Sequence, residues 1–269
     1  KLRPGGRVML YVQNVGEIKV KYHRRLPDGA TINHVVIKRC AHRWYACLMI
    51  DLPVPVVPEH TGPEVGVDMG ISHLLALSDG TLISNPRWLR GRLSQLRVAQ
   101  RRLSRRKKGS NRHRKAAAQV ARLHERIANQ RRDFWHKITR QLVDTYRLIA
   151  LEDLTLNFMT ANHHLALSTY DAALSEFQQL LAYKAESAGT RIVTVNPAYT
   201  SQTCSDCGAI VPKDLRIRVH VCPDCGLTLD RDVNAARNIL KQAVNGARTG
   251  PPGRNVAGSG ERALGSSLL

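Results

Sequence analysis

The chain has 269 residues, with 41 Lys+Arg against 21 Asp+Glu, a formal net charge of +20 at pH 7. Hydrophobic residues make up 43%, which excludes wholesale disorder, and no run of about eighteen apolar residues occurs, which excludes a membrane-spanning helix. The length suits one large domain or two small ones with a buried core.

The first segment, KLRPGGRVMLYVQN, lacks the apolar block of a signal peptide and an initiator Met, as expected of a processed or truncated chain. Ile18, Val20 and Tyr22 alternate with Lys19 and Lys21, the period of a half-buried strand. Leu26-Pro27-Asp28-Gly29 is turn chemistry, and Arg7–Val12, Thr31–Lys38 and Trp44–Leu52 read as further strands. Residues 1–52 are therefore expected to form a small β-module, and the prolines of 53–63 mark a linker. Val65–Val67 begins a buried strand, and His73–Leu77 and Thr81–Ser84 follow it around the Asp79-Gly80 turn. Leu89, Leu93, Leu96 and Leu103, then Val120, Leu123, Ile127, Phe134, Ile138 and Leu142, recur at helical intervals on either side of a break at 107–111. They predict a pair of long helices, an antiparallel hairpin over 86–146. Arg147–Leu151 reads as a buried strand, Ser168–Ala188 as one helix stopped by Gly189, Arg191–Val195 as a strand and Val233–Val244 as a helix. From Gly246 the chain is rich in Gly, Pro, Ser and Arg, the composition of a disordered tail. Strands, helices, strand, helix, strand and helix in that order suit a mixed α/β sheet.

The charge is localised. Between Arg87 and Arg140 there are 19 Lys/Arg and two acids, Glu125 and Asp133, so +17 of the +20 lies in the predicted hairpin. A mixed-sign solvated face would not look like this. The stripe reads as a footprint for a polyanion, with nucleic acid the leading candidate. Its candidate contacts are Arg101, Arg102, Arg105, Arg106, Lys107, Lys108, Arg112, Arg114, Lys115, Arg131 and Arg132.

Four of the six cysteines form Cys204-Ser-Asp-Cys207 and Cys222-Pro-Asp-Cys225, with fourteen residues between the pairs. Each pair is followed by a glycine, Gly208 and Gly226, which permits the turn that aims backbone N–H groups at the sulfurs. Two such knuckles can present four thiolates to one zinc, and a closed thiolate shell is structural rather than catalytic. A disulfide framework does not suit a chain without a secretory signal. Cys40 and Cys47 are expected to be buried free thiols.

Acids are scarce, so those at predicted strand ends draw attention: Asp68 in GVDMGI, Glu152 in LIALEDL, and Asp230 and Asp232 in LDRDVNAARN. Singly, each has an ordinary reading. Asp68 can cap a turn, Glu152 and Asp153 can be a solvated strand end, and Asp232 can be a helix N-cap. Together, three carboxylates beside a sheet can hold two Mg²⁺ ions roughly 3.5–4 Å apart, a clamp for phosphodiester chemistry.

At these residues the sequence resembles the OrfB or TnpB family of transposon-encoded RNA-guided nucleases, relatives of the type V CRISPR effectors. The matching pieces are GVDMGI, LEDL, the Tyr-Thr-Ser-Gln-Thr-Cys lead into Cys204, the two C-x-x-C pairs and DRDVNAARNI, over about residues 7–258. The resemblance implies an α/β RuvC-like RNase H fold over 64–199 and 230–245, interrupted by a zinc ribbon at 200–229 and followed by a disordered tail at 246–269. It implies that the β-module is part of a wedge domain and that the basic hairpin tracks guide RNA or heteroduplex. It assigns the catalytic acids to Asp68, Glu152 and Asp232, with Asp230 the competing choice in the third motif. It further implies one structural Zn²⁺, two catalytic Mg²⁺, a guide RNA derived from the transposon end, target DNA and a cytoplasmic, nucleoid-associated protein. A nuclease-silent RNA/DNA-binding protein and an accessory of DNA transposition are the alternatives. Two departures stand out: family members usually begin with roughly a hundred further residues, a domain-sized piece, and Leu174 stands where the family often has Trp.

Overall fold

The structure is a computed structural model, and it describes residues 7–41, 43–53, 57, 59–153, 163–214 and 217–249. The chain divides into two compact units, one of residues 1–56 with 98–125 and the other of residues 57–97 with 126–269. The first division falls inside the predicted linker.

In the first unit, β1 (Arg7–Val12) pairs antiparallel with β2 (Gly16–Lys21), and β3 (Thr31–Cys40) with β4 (Arg43–Asp51). The expected strands are all present, as two separate hairpins rather than one sheet. Alternating apolar residues explain the pairing. Val8, Leu10, Val20, Ala46, Leu48 and Ile50 line an apolar cavity of about 730 Å³ between the two hairpins. Cys40 and Cys47 are free, as expected, but only half-buried.

The second unit is organised on a five-stranded sheet of β5 (Glu64–Met69), β6 (His73–Leu77), β7 (Leu82–Ser84), β8 (Leu148–Glu152) and β9 (Arg191–Val195), in the order β7-β6-β5-β8-β9. The three consecutive strands pair antiparallel, whereas β5, β8 and β9 run parallel. This is the mixed α/β sheet that the element order predicts. The turn between β6 and β7 is held by Asp79 Oδ1, which accepts from Thr81 N at 2.8 Å, with Gly80 at φ +97°.

Two helices carry most of the basic segment, α1 (Leu93–Ser104) and α2 (Asn111–Thr145), on either side of a turn at 105–110. The predicted seam residues Leu96, Ile127 and Leu142 are buried. Trp135, which the spacing did not single out, is fully buried and donates its indole N–H to Ala172 O at 2.9 Å.

The helix expected over 168–188 is two helices, α3 (His163–Ala172) and α4 (Leu174–Ala188), broken at Ala173 in the left-handed region, φ 52° and ψ 44°. Tertiary demands account for the break. Ala172 O is taken by Trp135, and the Asp171 carboxylate accepts from Leu89 N and Arg90 N at 2.8 and 3.1 Å. Leu174, in the position where the family often has Trp, is buried beside Phe177 and Leu181.

Strand parity separates two cores. Val65, Val67, Ile149 and Leu151 face α2, α3 and α4, packing with Trp135, Leu142, Phe177 and Leu181. Leu148 and Ala150 face the opposite way, against Ile239 and Ala243 of α5 (Arg231–Thr249). That helix runs five residues beyond the predicted end at Val244, so positions 246–249, expected to be disordered tail, are helical; the remaining tail positions lie outside the described residues. Gly66 allows the close approach of α5, because a Cβ there would meet Ala236 O at 2.0 Å and Leu240 N at 2.8 Å. Between β9 and α5 lies the cysteine-rich insert, which contains the short hairpin of β10 (Val219–Val221) and β11 (Thr228–Asp230). Among the described residues no helix is long and apolar enough to cross a membrane.

Candidate functional site

Asp68 and Glu152 lie near the C-terminal ends of neighbouring parallel strands. Gly66 pairs with Ala150 and Val67 with Leu151, so the register places Asp68 beside Glu152. Period-2 alternation puts both carboxylates on the same face as Gly66 and Ala150, the face covered by α5. Asp232 lies in the first turn of α5. Three acids distant in sequence thus reach one side of the sheet at its strand ends, where α/β sheets present their sites.

The two candidates of the third motif do different work. Asp230 Oδ1 accepts from the backbone N–H of Asp232 at 2.8 Å and of Val233 at 3.3 Å, which makes it the N-cap of α5. Asp232 is 8% exposed and meets two guanidinium groups, Arg231 Nη2 at 3.2 Å and Arg218 Nη1 at 3.4 Å, with the His73 ring nitrogen Nδ1 at 3.9 Å. Arg218 also donates to Ser72 Oγ.

The electrostatics show that the acids share one environment. Burial pushes Asp68 up to about 8, Glu152, Asp232 and Asp230 push it further in the same direction, and only Arg231 opposes them. Burial also raises Glu152, against the hydrogen bond from Thr200. Like charges held together in a poorly solvated place disfavour ionisation. An oxygen-only donor set with excess negative charge is the chemistry that hard divalent cations complement.

The four cysteines form the tighter cluster. Cys204, Cys207, Cys222 and Cys225 place their sulfurs within 4.8 Å of one another, and no other group of three or more Cys, His or acid side chains among the described residues is so close. The carboxylates are spread more widely than the sulfurs. The two knuckles repeat one backbone pattern: Gly208 N donates to Cys204 O and Gly226 N to Cys222 O, with both glycines at positive φ. Burial pushes the Cys204 thiol up, but backbone N–H groups of Cys207 and Asp206 and the His220 side chain outweigh it and bring it down to about 6. A thiolate is the form that binds metal, and four of them can hold an ion such as zinc. Fully buried His220 and the adjacent Lys213 Nζ complete this surrounding.

The expected nucleic-acid residues fall into two sets. Arg101, Arg102, Arg105, Arg106, Lys107, Lys108, Arg112, Arg114 and Lys115 are all exposed. Arg131 instead donates to Tyr170 O at 2.6 Å, and Arg132 pairs with Glu176 at 2.9 Å, contacts that join α2 to α3 and α4.

Residue patterning did not single out Ser72, His73, Thr200, Arg218, Asn234 or Asn238 around the acids. Asn234 and Asn238, four apart on α5, carried the one readable signal: they share a helix face with each other.

Fold and site define a mixed α/β sheet protein with an acidic cluster at its strand ends and a four-cysteine insert. The family model OrfB_IS605, described as "Probable transposase", matches residues 48–163, and the model described as "Cas12f1-like, TNB domain" matches residues 175–239. A Streptomyces pristinaespiralis protein named "Putative RNA-guided DNA endonuclease" is 38% identical over 226 residues, covering 83% of this chain and 56% of that protein. The Escherichia coli K12 protein named "Putative RNA-guided DNA endonuclease InsQ" is 31% identical over 247 residues, covering 86% of this chain and 61% of the relative. The chain thus spans little more than half the length of these relatives. A solved structure described as "Cryo-EM structure of CRISPR-Cas12f Ternary Complex" matches in fold with a TM-score of 0.50 at 22% identity, over 73% of this chain and 42% of that one. The chain belongs to the TnpB/OrfB family.

Proposed function

We propose that the chain acts as an RNA-guided, Mg²⁺-dependent DNA endonuclease of an insertion-sequence transposon, built on a RuvC-like RNase H domain, with a transposon-end guide RNA and target DNA as its partners. The observation that carries this reading is the arrival of Asp68, Glu152 and Asp232 on one face of the sheet, crowded enough to push Asp68 up to about 8. The donor set fits Mg²⁺, and these three residues would hold two ions. Bound there, the metal supplies Lewis-acid stabilisation of the attacking and leaving oxygens of a phosphodiester.

The chain's own groups supply the rest. Arg218 and Arg231 bring positive charge to Asp232, and a guanidinium can exchange a carboxylate for a phosphate. The exposed bases from Arg101 to Lys115 would hold nucleic-acid backbone, while base pairing to the guide would choose the sequence. The four-cysteine ribbon would hold one structural zinc.

The test is expression with transposon-end RNA, sequencing of the co-purified RNA, and Mg²⁺-dependent cleavage of a DNA carrying the matching target. Asp68→Ala should retain RNA and lose cleavage. RNA and DNA binding without cleavage under any divalent metal would replace this reading with that of a non-cleaving binder.

A further inference from the structure

We propose that Thr200 is a positioning residue that sets the Glu152 carboxylate and ties it to the cysteine ribbon. The inference rests on the carboxylate site proposed above. Thr200 is 3% exposed, and its Oγ1 donates to Glu152 Oε1 at 2.5 Å. Oγ1 also lies 3.1 Å from Pro197 O, but a hydroxyl has one hydrogen, and the shorter contact to the carboxylate takes it. A bond to a charged acceptor is roughly twice as strong as a neutral one. Holding Oε1 fixes the plane of the carboxylate and leaves Oε2 to turn toward a ligand.

The hydroxyl is itself fixed from the other side. Asn238 Nδ2 donates to Thr200 O at 2.8 Å and to Thr203 O at 2.7 Å. Asn234 Nδ2 donates to Thr203 O at 2.7 Å, and its Oδ1 accepts from Ser205 N at 2.9 Å. Both asparagines are buried on the helix that carries Asp232. Two of the backbone positions they hold, 203 and 205, flank Cys204. Tyr199, at φ 63°, makes the sharp turn that sends Thr200 inward. One continuous set of hydrogen bonds therefore runs from the first cysteine knuckle to Glu152 and to the helix of Asp232. Outer partners of this kind typically change metal affinity about 10–100-fold when removed.

The test is Mn²⁺ binding to the zinc-loaded full chain, read by electron paramagnetic resonance without nucleic acid. Thr200→Val, which keeps the shape and removes the donor, should weaken Mn²⁺ binding by about 10-fold while zinc content stays that of the parent chain. Thr200→Ser should restore the affinity. Thr200→Val with parental affinity overturns the proposal, as does weakened binding that Thr200→Ser leaves unrepaired. If Thr200→Val fails to fold, Thr200→Ala takes its place; failure of both to fold, with Thr200→Ser folded, overturns positioning in favour of a purely structural role. Asp68→Ala and Glu152→Ala separate the two levels. If both bind Mn²⁺ like the parent chain, the carboxylate site itself is wrong. If they lose binding and Thr200→Val does not, only the role of Thr200 is wrong.

Discussion

Asp68→Asn should make the metal-free protein more stable while abolishing the cleavage proposed for it. The carboxyl has an ordinary value of 3.8 and is pushed up to about 8 by burial and the neighbouring acids. The neutral form is therefore favoured in the folded state. No penalty exists below pH 3.8; it grows as pH rises between 3.8 and 8 and is constant above. At pH 7 roughly three pH units of that window have been crossed, which at about 1.4 kcal/mol each sets an upper bound of roughly 4 kcal/mol. The effective dielectric of a relaxing protein site reduces this to about 1–3 kcal/mol. For a domain of this size that is a rise in Tm of roughly 2–10 °C. Asparagine keeps the shape and removes the charge. The assay is calorimetric unfolding of zinc-loaded protein in buffer freed of other divalent cations, at pH 5.5 and pH 8, with and without Mg²⁺. The stabilisation should be roughly half as large at pH 5.5 as at pH 8, because less of the window has been crossed, and Mg²⁺ should raise the Tm of the parent chain but not of the variant. An unchanged or lowered Tm for Asp68→Asn at pH 8 without Mg²⁺ would refute the electrostatic account.

Gly66→Ala would drive a methyl group into Ala236 O and Leu240 N, so urea unfolding should show a loss of about 1–3 kcal/mol or more. Asp230→Ala removes the cap of α5 and should cost about 1 kcal/mol, whereas Asp232→Ala relieves crowding at Asp68 and should cost less; the reverse ranking would contradict the assigned roles. Metal analysis should find one zinc per chain, lost in Cys222→Ser and kept in Cys40→Ser. Replacing Arg105, Arg106, Lys107 and Lys108 with Gln should flatten the salt dependence of nucleic-acid binding by up to about 0.9 in log–log slope per lost phosphate contact. Arg132→Gln should instead lower stability, since Glu176 already holds that guanidinium.

Local periodicity made the strands readable. Alternation in β2 and the buried run in β8 follow directly from one-sided and two-sided burial, and the C-x-x-C spacing carries its own geometry. The same parity placed Asp68 and Glu152 on one face once their strands were known to be neighbours, but that adjacency is a tertiary fact. The break at Ala173 was unreadable because partners far away in sequence, Trp135 and the backbone at Leu89 and Arg90, demand it. Arg218 was unreadable for the same reason: nothing local says that a ribbon arginine meets Asp232. Asp230 and Asp232 could not be separated by sequence pattern alone, because both sit at the start of a helix and only the hydrogen bonds show which one caps it.

The order of the parts along the chain has a consequence during synthesis. The run of exposed bases from Arg101 to Lys115 is complete at residue 115, and the last of the three clustered acids is Asp232. At about 5–20 residues per second, the ribosome needs roughly 6–23 s to travel from one to the other. Throughout that interval the growing chain can already attract a polyanion, yet Asp68 and Glu152 lack their third carboxylate and the helix that brings it. On the function proposed above, capture of a nucleic acid can therefore begin before the acidic cluster that would cut one is complete.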